Sequence, residues 1–342
     1  MDKESRILVS GATGFIGSYI LRTLVKNGYQ NVVALKRRDS KLDLVEPVLN
    51  DVQWIEADIL DPIVIHEAMD GVHAVIHAAA FVSFDRRDEH QIMKVNVEGT
   101  SNMINASIDS DVRKFIHVSS IAVFSRSSDP QEIDELSSWD YQIPATDYAI
   151  SKYKAEMEVW RGAAEGLRIA IVNPSLVLGG GFWESGSASL FKKVYEGVRY
   201  YPKGLNGFVD VRDVAKATIK LMESPIVNQR FIINGENRTY KDIMDMMAKA
   251  LHRQPPSIAL NPFLREMALF GAWFLRTFLG KEEVVSRGTL RNAQHSYYFD
   301  ASKSKEELGI EYRDISDTIA ETCKLLALAS QEQYRPKYLQ LN

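Results

Sequence analysis

Short runs of consecutive apolar, mostly β-branched residues recur through the first half of the chain at 6–10, 31–35, 52–56, 74–77, 114–119 and 168–173. Between them, at 16–26, 62–69, 90–110 and 148–165, apolar residues return every three or four positions. A continuously apolar run predicts a strand covered on both faces, and the longer period predicts amphipathic helices packed on it. Strands and helices alternating in this way build a doubly wound α/β sheet with parallel strands. A further strand is predicted at 230–233 and a helix at 240–251, joined by the turn Asn234-Gly235-Glu236. No repeat or low-complexity linker breaks the pattern, so two interleaved lobes are expected: the sheet, from 1–174 with 207–235, and a smaller, mostly helical C-terminal lobe, from 175–206 with 236–342.

The first strand runs into Gly11-Ala-Thr-Gly14-Phe-Ile-Gly17, and this turn gives the sheet a use. Gly11 allows the tight exit from the strand, Gly14 lets backbone approach a pyrophosphate, and Gly17 lets the helix lie close to the sheet. The helix at 16–26 then aims its free amides and positive dipole end at the phosphates. With Thr13, Phe15 and Ile16, these glycines form the candidate phosphate turn of a dinucleotide-binding Rossmann fold. The second strand ends in Lys36-Arg37-Arg38, where a basic group takes a ribose 2′-phosphate and an acid takes a free ribose. NADP is therefore expected, with Asp39 keeping NAD as the alternative. After the third strand Asp58 is placed to accept from an adenine amino group and Ile59 to cover the ring, although an aspartate there equally caps a helix. Ala78, Ala79 and Ala80 follow the fourth strand and are small enough to let ribose and pyrophosphate pass, if they are not simply packing residues.

Composition changes this picture little. The 342 residues are 45% hydrophobic and 25% charged, with a net charge of -4, which gives no drive towards nucleic acid or acidic membranes. One cysteine, Cys323, excludes an intramolecular disulfide and fits a cytoplasmic protein, as does a charged start without a secretory pattern. The most apolar segment, 267–275, is too short to span a bilayer, and the helix expected at 267–279 reads as core or lid rather than membrane-bound. The seven histidines lack metal-ligand spacing, His117 is expected in the core, and no metal is expected.

Candidate chemistry appears at Ser119-Ser120 and at Tyr148-Ala-Ile-Ser-Lys152. A tyrosine and a lysine four apart stand together on one helix face, where an ammonium favours the phenolate and brings it towards the working range of an acid or base. Tyr148 would move the proton, Ser120 would hold a substrate oxygen, and Lys152 would bind the nicotinamide ribose.

These stretches resemble the short-chain dehydrogenase/reductase superfamily in its extended, epimerase/dehydratase-like branch. The resemblance rests on G-A-T-G-F-I-G, A-D-I-L-D at 57–61, V-N-V-E-G-T at 95–100, S-S-I-A-V-F, Y-A-I-S-K, N-P-S-L-V-L-G at 173–179 and F-V-D-V-R-D-V-A at 208–215. It implies Ser120, Tyr148 and Lys152 as catalytic residues, Asn96 as a fourth member supporting a relay water, Ser119, Asn173 and Pro174 beside the cofactor, and a homodimer built on the helices at 90–110 and 148–165. Ile121-Ala122 stand where the family's dehydratases carry an acid pair. The 173–179 stretch resembles dihydroflavonol reductases, cinnamoyl-CoA reductases and 3β-hydroxysteroid dehydrogenase-like enzymes, with Gly180 where those commonly have proline. Carbonyl reduction is the favoured expectation; a sugar-nucleotide epimerase and a non-catalytic NADP sensor are the alternatives.

Aromatic residues gather at 182–201 (Phe182, Trp183, Phe191, Tyr195, Tyr200, Tyr201) and at 261–280, read either as an apolar substrate pocket or as core. Lys192, Lys193, Arg199, Lys203 and Arg212 make a basic set that would meet a diphosphate, unless they are solvated helix charges.

Overall fold

The computed structural model describes residues 1–83, 85–124, 131–261 and 293–341. In chain order the first half runs β1 (Ile7–Ser10), α1 (Phe15–Lys26), β2 (Val32–Lys36), β3 (Gln53–Glu56), α2 (Pro62–Ala68), β4 (Ala74–His77), α3 (Glu89–Met93), α4 (Gly99–Asp109), β5 (Lys114–Val118) and β6 (Gln131–Ile133). It continues with α5 (Asp147–Ala164), β7 (Ile169–Pro174), β8 (Leu176–Leu178), α6 (Ala188–Tyr195), β9 (Tyr200–Tyr201), β10 (Leu205–Asp210), α7 (Val211–Glu223), β11 (Gln229–Ile233), β12 (Glu236–Thr239) and α8 (Tyr240–Ala250). After β13 (Ile258–Ala259) and β14 (Tyr297–Phe299), the chain ends in α9 (Ser302–Leu308) and α10 (Ile315–Gln331).

Seven strands form one parallel sheet in the order β11-β7-β5-β4-β1-β2-β3. This is the expected Rossmann-like architecture, with every predicted strand in place. The strands are buried on both faces: Ile7, Val9, Ile76 and Val172 pack with α1 and α7, while Leu8, Val75, Phe115 and Ile171 pack with α2, α4 and α5. The order reverses between β1 and β4, so the turns after both strands open into one crevice at the carboxyl edge.

Two expectations need correction. The helix predicted at 90–110 is instead α3, a π segment (Lys94–Glu98) and α4. The widened turn holds Asn96, whose side chain leaves the helix to bond the backbone of Phe81, and the glycine that starts α4 lets Ile59 pack closely, since a Cβ there would lie 2.5 Å from the Ile59 side chain. The chain also holds short strands that the pattern did not predict: β8, β10 and β12 form a three-stranded sheet, and β6 with β14 and β9 with β13 form two small pairs. These strands are two to six residues long, too short for their period to stand out. Trp183, Phe191, Phe208, Met247, Ile319 and Leu326 belong to one further apolar cluster outside the seven-stranded sheet. The predicted helix at 267–279 and the aromatic residues at 262–280 lie outside the described residues. Among the described residues no helix is long and apolar enough to cross a membrane.

Candidate active site

The glycine turn has the geometry its spacing implies. Gly11 adopts φ +67°, and a Cβ on it would lie 2.5 Å from the Ala79 amide nitrogen, so the turns after β1 and β4 touch. A Cβ on Gly17 would come within 2.0 Å of the Gly11 carbonyl oxygen, which only a bare Cα allows. Around Gly14 such an atom would meet only that same oxygen, at 3.2 Å. The outer side of the turn is therefore open to a ligand, and no side chain caps the first amides of α1. Phe15 turns the other way, onto Gly181 and against Tyr19 at an edge-to-face angle.

At the end of β2, Arg37 and Arg38 are exposed. Arg37 lies 3.6 Å from Asp39 in an exposed ion pair of little worth, one a phosphate can replace, and its amide closes the loop by donating to Ser40 Oγ at 2.9 Å. Asp58 is exposed and accepts from the Leu60 amide, while the Ile59 side chain is buried against α4. Ala78 and Ala79 are half-buried and Ala80 is exposed. An uncapped helix start, an open glycine and two accessible guanidinium groups fit a phosphorylated dinucleotide.

Tyr148 and Lys152 stand on the inner face of α5, which begins at a Thr146 cap that accepts from the Ala149 amide at 3.2 Å. Tyr148 stands beside Ser120, whose Oγ accepts from the Ala122 amide at 3.1 Å. Burial pushes the phenol above its ordinary range and the neighbouring Ser120 hydroxyl offsets part of that. The expectation of a phenol lowered by lysine is thus corrected, because the Lys152 ammonium is drawn to the Val118 carbonyl at 2.9 Å. Lys152 itself is held down at about 8 by burial, against the opposing pull of Glu156.

Beneath this pair runs a buried polar chain. Ser10 Oγ lies 2.6 Å from His77 Nδ1, His77 Nε2 lies 3.0 Å from Thr100 Oγ1, and Thr100 donates to the Asn96 carbonyl at 2.6 Å. Burial and the nearby Lys152 push His77 down to about 3 and His117 well below its usual range, so both imidazoles are neutral. Asn96 accepts from the Phe81 amide at 2.7 Å and donates to the Phe81 carbonyl at 3.0 Å and to Ser151 Oγ at 2.9 Å. It thereby fixes the loop after β4 to the helix carrying Tyr148. Among the described residues no group of three His, Cys, Asp or Glu side chains is arranged to hold a metal ion.

Sequence reasoning missed Glu156. Its carboxylate accepts from Ser119 Oγ at 2.7 Å, Asn173 Nδ2 at 2.9 Å and Arg230 at 3.1 Å. Ser119 and Asn173, expected beside the cofactor, therefore spend their side chains inward; Asn173 also donates to the Ser120 carbonyl at 3.2 Å. Pro174 closes β7 opposite Ile233. The available signal was the four-residue spacing from Lys152, which places Glu156 on the same buried helix face.

On the substrate side the structure chooses between the two readings. Trp183 and Phe191 are core residues rather than pocket walls, whereas Tyr200 is exposed. Two members of the basic set are already paired: Arg212 is buried in ion pairs with Asp210 at 2.6 Å and Glu321 at 2.7 Å, and Lys192 pairs with Glu184 and Glu196.

A model of the NAD dependent epimerase/dehydratase family matches residues 7–234. A Synechocystis protein provisionally named dihydroflavonol 4-reductase is 29% identical over 92% of both chains. Cinnamoyl-CoA reductase 1 of Oryza sativa subsp. japonica is 31% identical over 74% of this chain and 78% of its own. The crystal structure of gox2253 superposes with a TM-score of 0.82 at 30% identity, over 97% of this chain and 99% of that one.

Proposed function

The chain belongs to the NAD dependent epimerase/dehydratase family and is an NAD(P)-dependent oxidoreductase or epimerase; within those bounds we propose that it reduces a carbonyl of a bulky, mainly apolar small molecule, or oxidises the matching secondary alcohol, with NADP. The observation that carries this reading is Tyr148 standing beside Ser120, with Lys152 one turn further along α5, at the carboxyl edge where the turns at Gly11 and Ala79 meet. Bound there, the nicotinamide supplies or accepts the hydride. Ser120 holds the carbonyl oxygen, the Tyr148 phenol gives that oxygen its proton or takes one back, Lys152 binds the nicotinamide ribose, and Asn96 keeps the Phe81 loop in place.

NADP is favoured over NAD by exposed Arg37 and Arg38. An apolar substrate is favoured over a diphosphate sugar because Arg212 and Lys192 are already paired with acids. The two relatives named as reductases support the same choice. The division into a cofactor lobe (1–174 with 207–235) and a substrate lobe (175–206 with 236–342) belongs to this proposal, as does a cytoplasmic setting. A homodimer through α4 and α5 also belongs to it, supported by the exposed Met157 and the Trp139–Tyr153 ring stack beside α5. A light-scattering mass of 38.6 kDa at micromolar concentration would overturn the dimer.

The test is calorimetric titration with NADPH and NADH, followed by turnover assays with bulky aldehydes and ketones. Exchangeable NADPH binding with consumption in the assay is the expected result. Copurified NAD that does not exchange and is not consumed would instead favour the epimerase reading.

A further inference from the structure

Glu156 is 1% exposed, yet no substrate or cofactor role falls to it in the reading above. A carboxylate this deep is retained only where its oxygens are satisfied. Here Oε2 accepts from Ser119 at the end of β5 and from Asn173 at the end of β7, while Oε1 accepts from Arg230 on β11 at 3.1 Å and from Trp160 at 3.4 Å. One side chain on α5 therefore gathers the carboxyl ends of two adjacent strands, β5 and β7. Arg230 extends the grip by donating to the carbonyls of Glu135 and Ser137, both at 2.9 Å, in the segment leading to α5.

Among the described residues, the same carboxylate is the charge that favours the ammonium form of Lys152, one turn away and 2% exposed. The other ionisable groups around Lys152 are Tyr148 on its own helix, His77 on β4 and His117 on β5; both histidines are neutral and add no charge. Arg230 stands on the far side of Glu156 and draws on the same negative charge.

We infer that Glu156 is a positioning residue for Lys152: one helical turn away on the same buried face, it holds the ammonium in its charged form beside the Val118 carbonyl while locking the strand ends that carry Ser120 and Asn173. The inference rests on the proposed role of Lys152, but its central claim is a property of the protein without ligand, so the two can fail separately.

The experiment is a pH titration of isotopically labelled lysine side chains by NMR in the full chain, with the Lys152 signal identified by its loss in Lys152→Met. In Glu156→Gln, which preserves shape and removes the charge, the Lys152 midpoint should fall by about one pH unit. In Arg230→Gln the midpoint should rise, because the positive charge on the far side of Glu156 no longer offsets the pull of that carboxylate on Lys152. This opposite sign keeps the test decisive if Glu156→Gln does not fold. A midpoint that stays put in either folded variant would overturn the inference and leave Glu156 as a packing residue. Once a substrate is known, Glu156→Gln should also move the alkaline limb of the kcat profile to lower pH by the same amount, with KM for the carbonyl nearly unchanged. A uniform fall in kcat at every pH would speak for a purely structural role.

Discussion

Gly180 passes so close to Lys337 that a Cβ on it would lie 2.7 Å from the Lys337 carbonyl oxygen. The Gly180 carbonyl in turn accepts from Tyr19 at 2.9 Å, and Tyr19 Oη accepts from the Leu339 amide at 2.7 Å. This contact explains why glycine stands where the resembling reductases carry proline: the C-terminal tail takes the space that a side chain would fill. The tail also ties distant segments together, with Arg335 pairing to Asp43 and Glu46 beyond β2 and its carbonyl accepting from Trp183 at 3.2 Å. Gly180→Ala should therefore loosen the tail, costing about 1–3 kcal/mol in urea unfolding and hastening proteolysis after Lys337.

Tyr148→Phe should lower kcat by about a hundredfold to ten-thousandfold, the range of a lost proton-transfer group. The NADPH dissociation constant should hardly change, because the phenol stands beside Ser120 and not on the glycine turn. Steady-state kinetics alongside calorimetry would separate the two effects.

Arg37→Ala should weaken NADPH binding about tenfold, the scale of one charge-assisted hydrogen bond, and leave NADH binding within about twofold. Equal losses for both nucleotides would show that Arg37 does not read the 2′-phosphate.

Gly17→Ala places a Cβ 2.0 Å from the Gly11 carbonyl oxygen, and backbone on both sides leaves no flexible neighbour to yield. We expect loss of dinucleotide binding together with a lower Tm, both measurable on the purified protein by calorimetry.

Lys152 gives stability a pH dependence of definite sign. Its ammonium is held at about 8 in the folded chain against 10.5 ordinarily, so between these values the unfolded chain binds more protons. Unfolding free energy should therefore rise with pH from about 8 to 10.5, and the cost of burying the ammonium is present in full below 8. Urea titrations of the wild type and Lys152→Met should differ in slope across that window. Arg212→Met should be more damaging at every pH, by about 3–5 kcal/mol, because it strands Asp210 in the interior.

The sequence alone determined the parts whose physics is local. Continuous apolar runs such as Ile7–Ser10 and Ala74–His77 can satisfy both faces only inside a covered parallel sheet, and three glycines at fixed offsets admit few backbone paths. Tyr148 and Lys152 were legible for the same reason, since helix geometry fixes a four-residue neighbour. What only the tertiary structure decided depends on residues distant in the chain. Arg212 read as part of a basic set until Glu321 was brought within 2.7 Å of it, and Trp183 could be pocket wall or core until the fold gathered it into one apolar cluster with Ile319 and Leu326. Glu156 drew no notice because its partners Ser119, Asn173 and Arg230 lie 37, 17 and 74 positions away, and only the sheet order brings them together. Charge and burial are properties of surroundings, and surroundings of this kind exist only once the chain has folded.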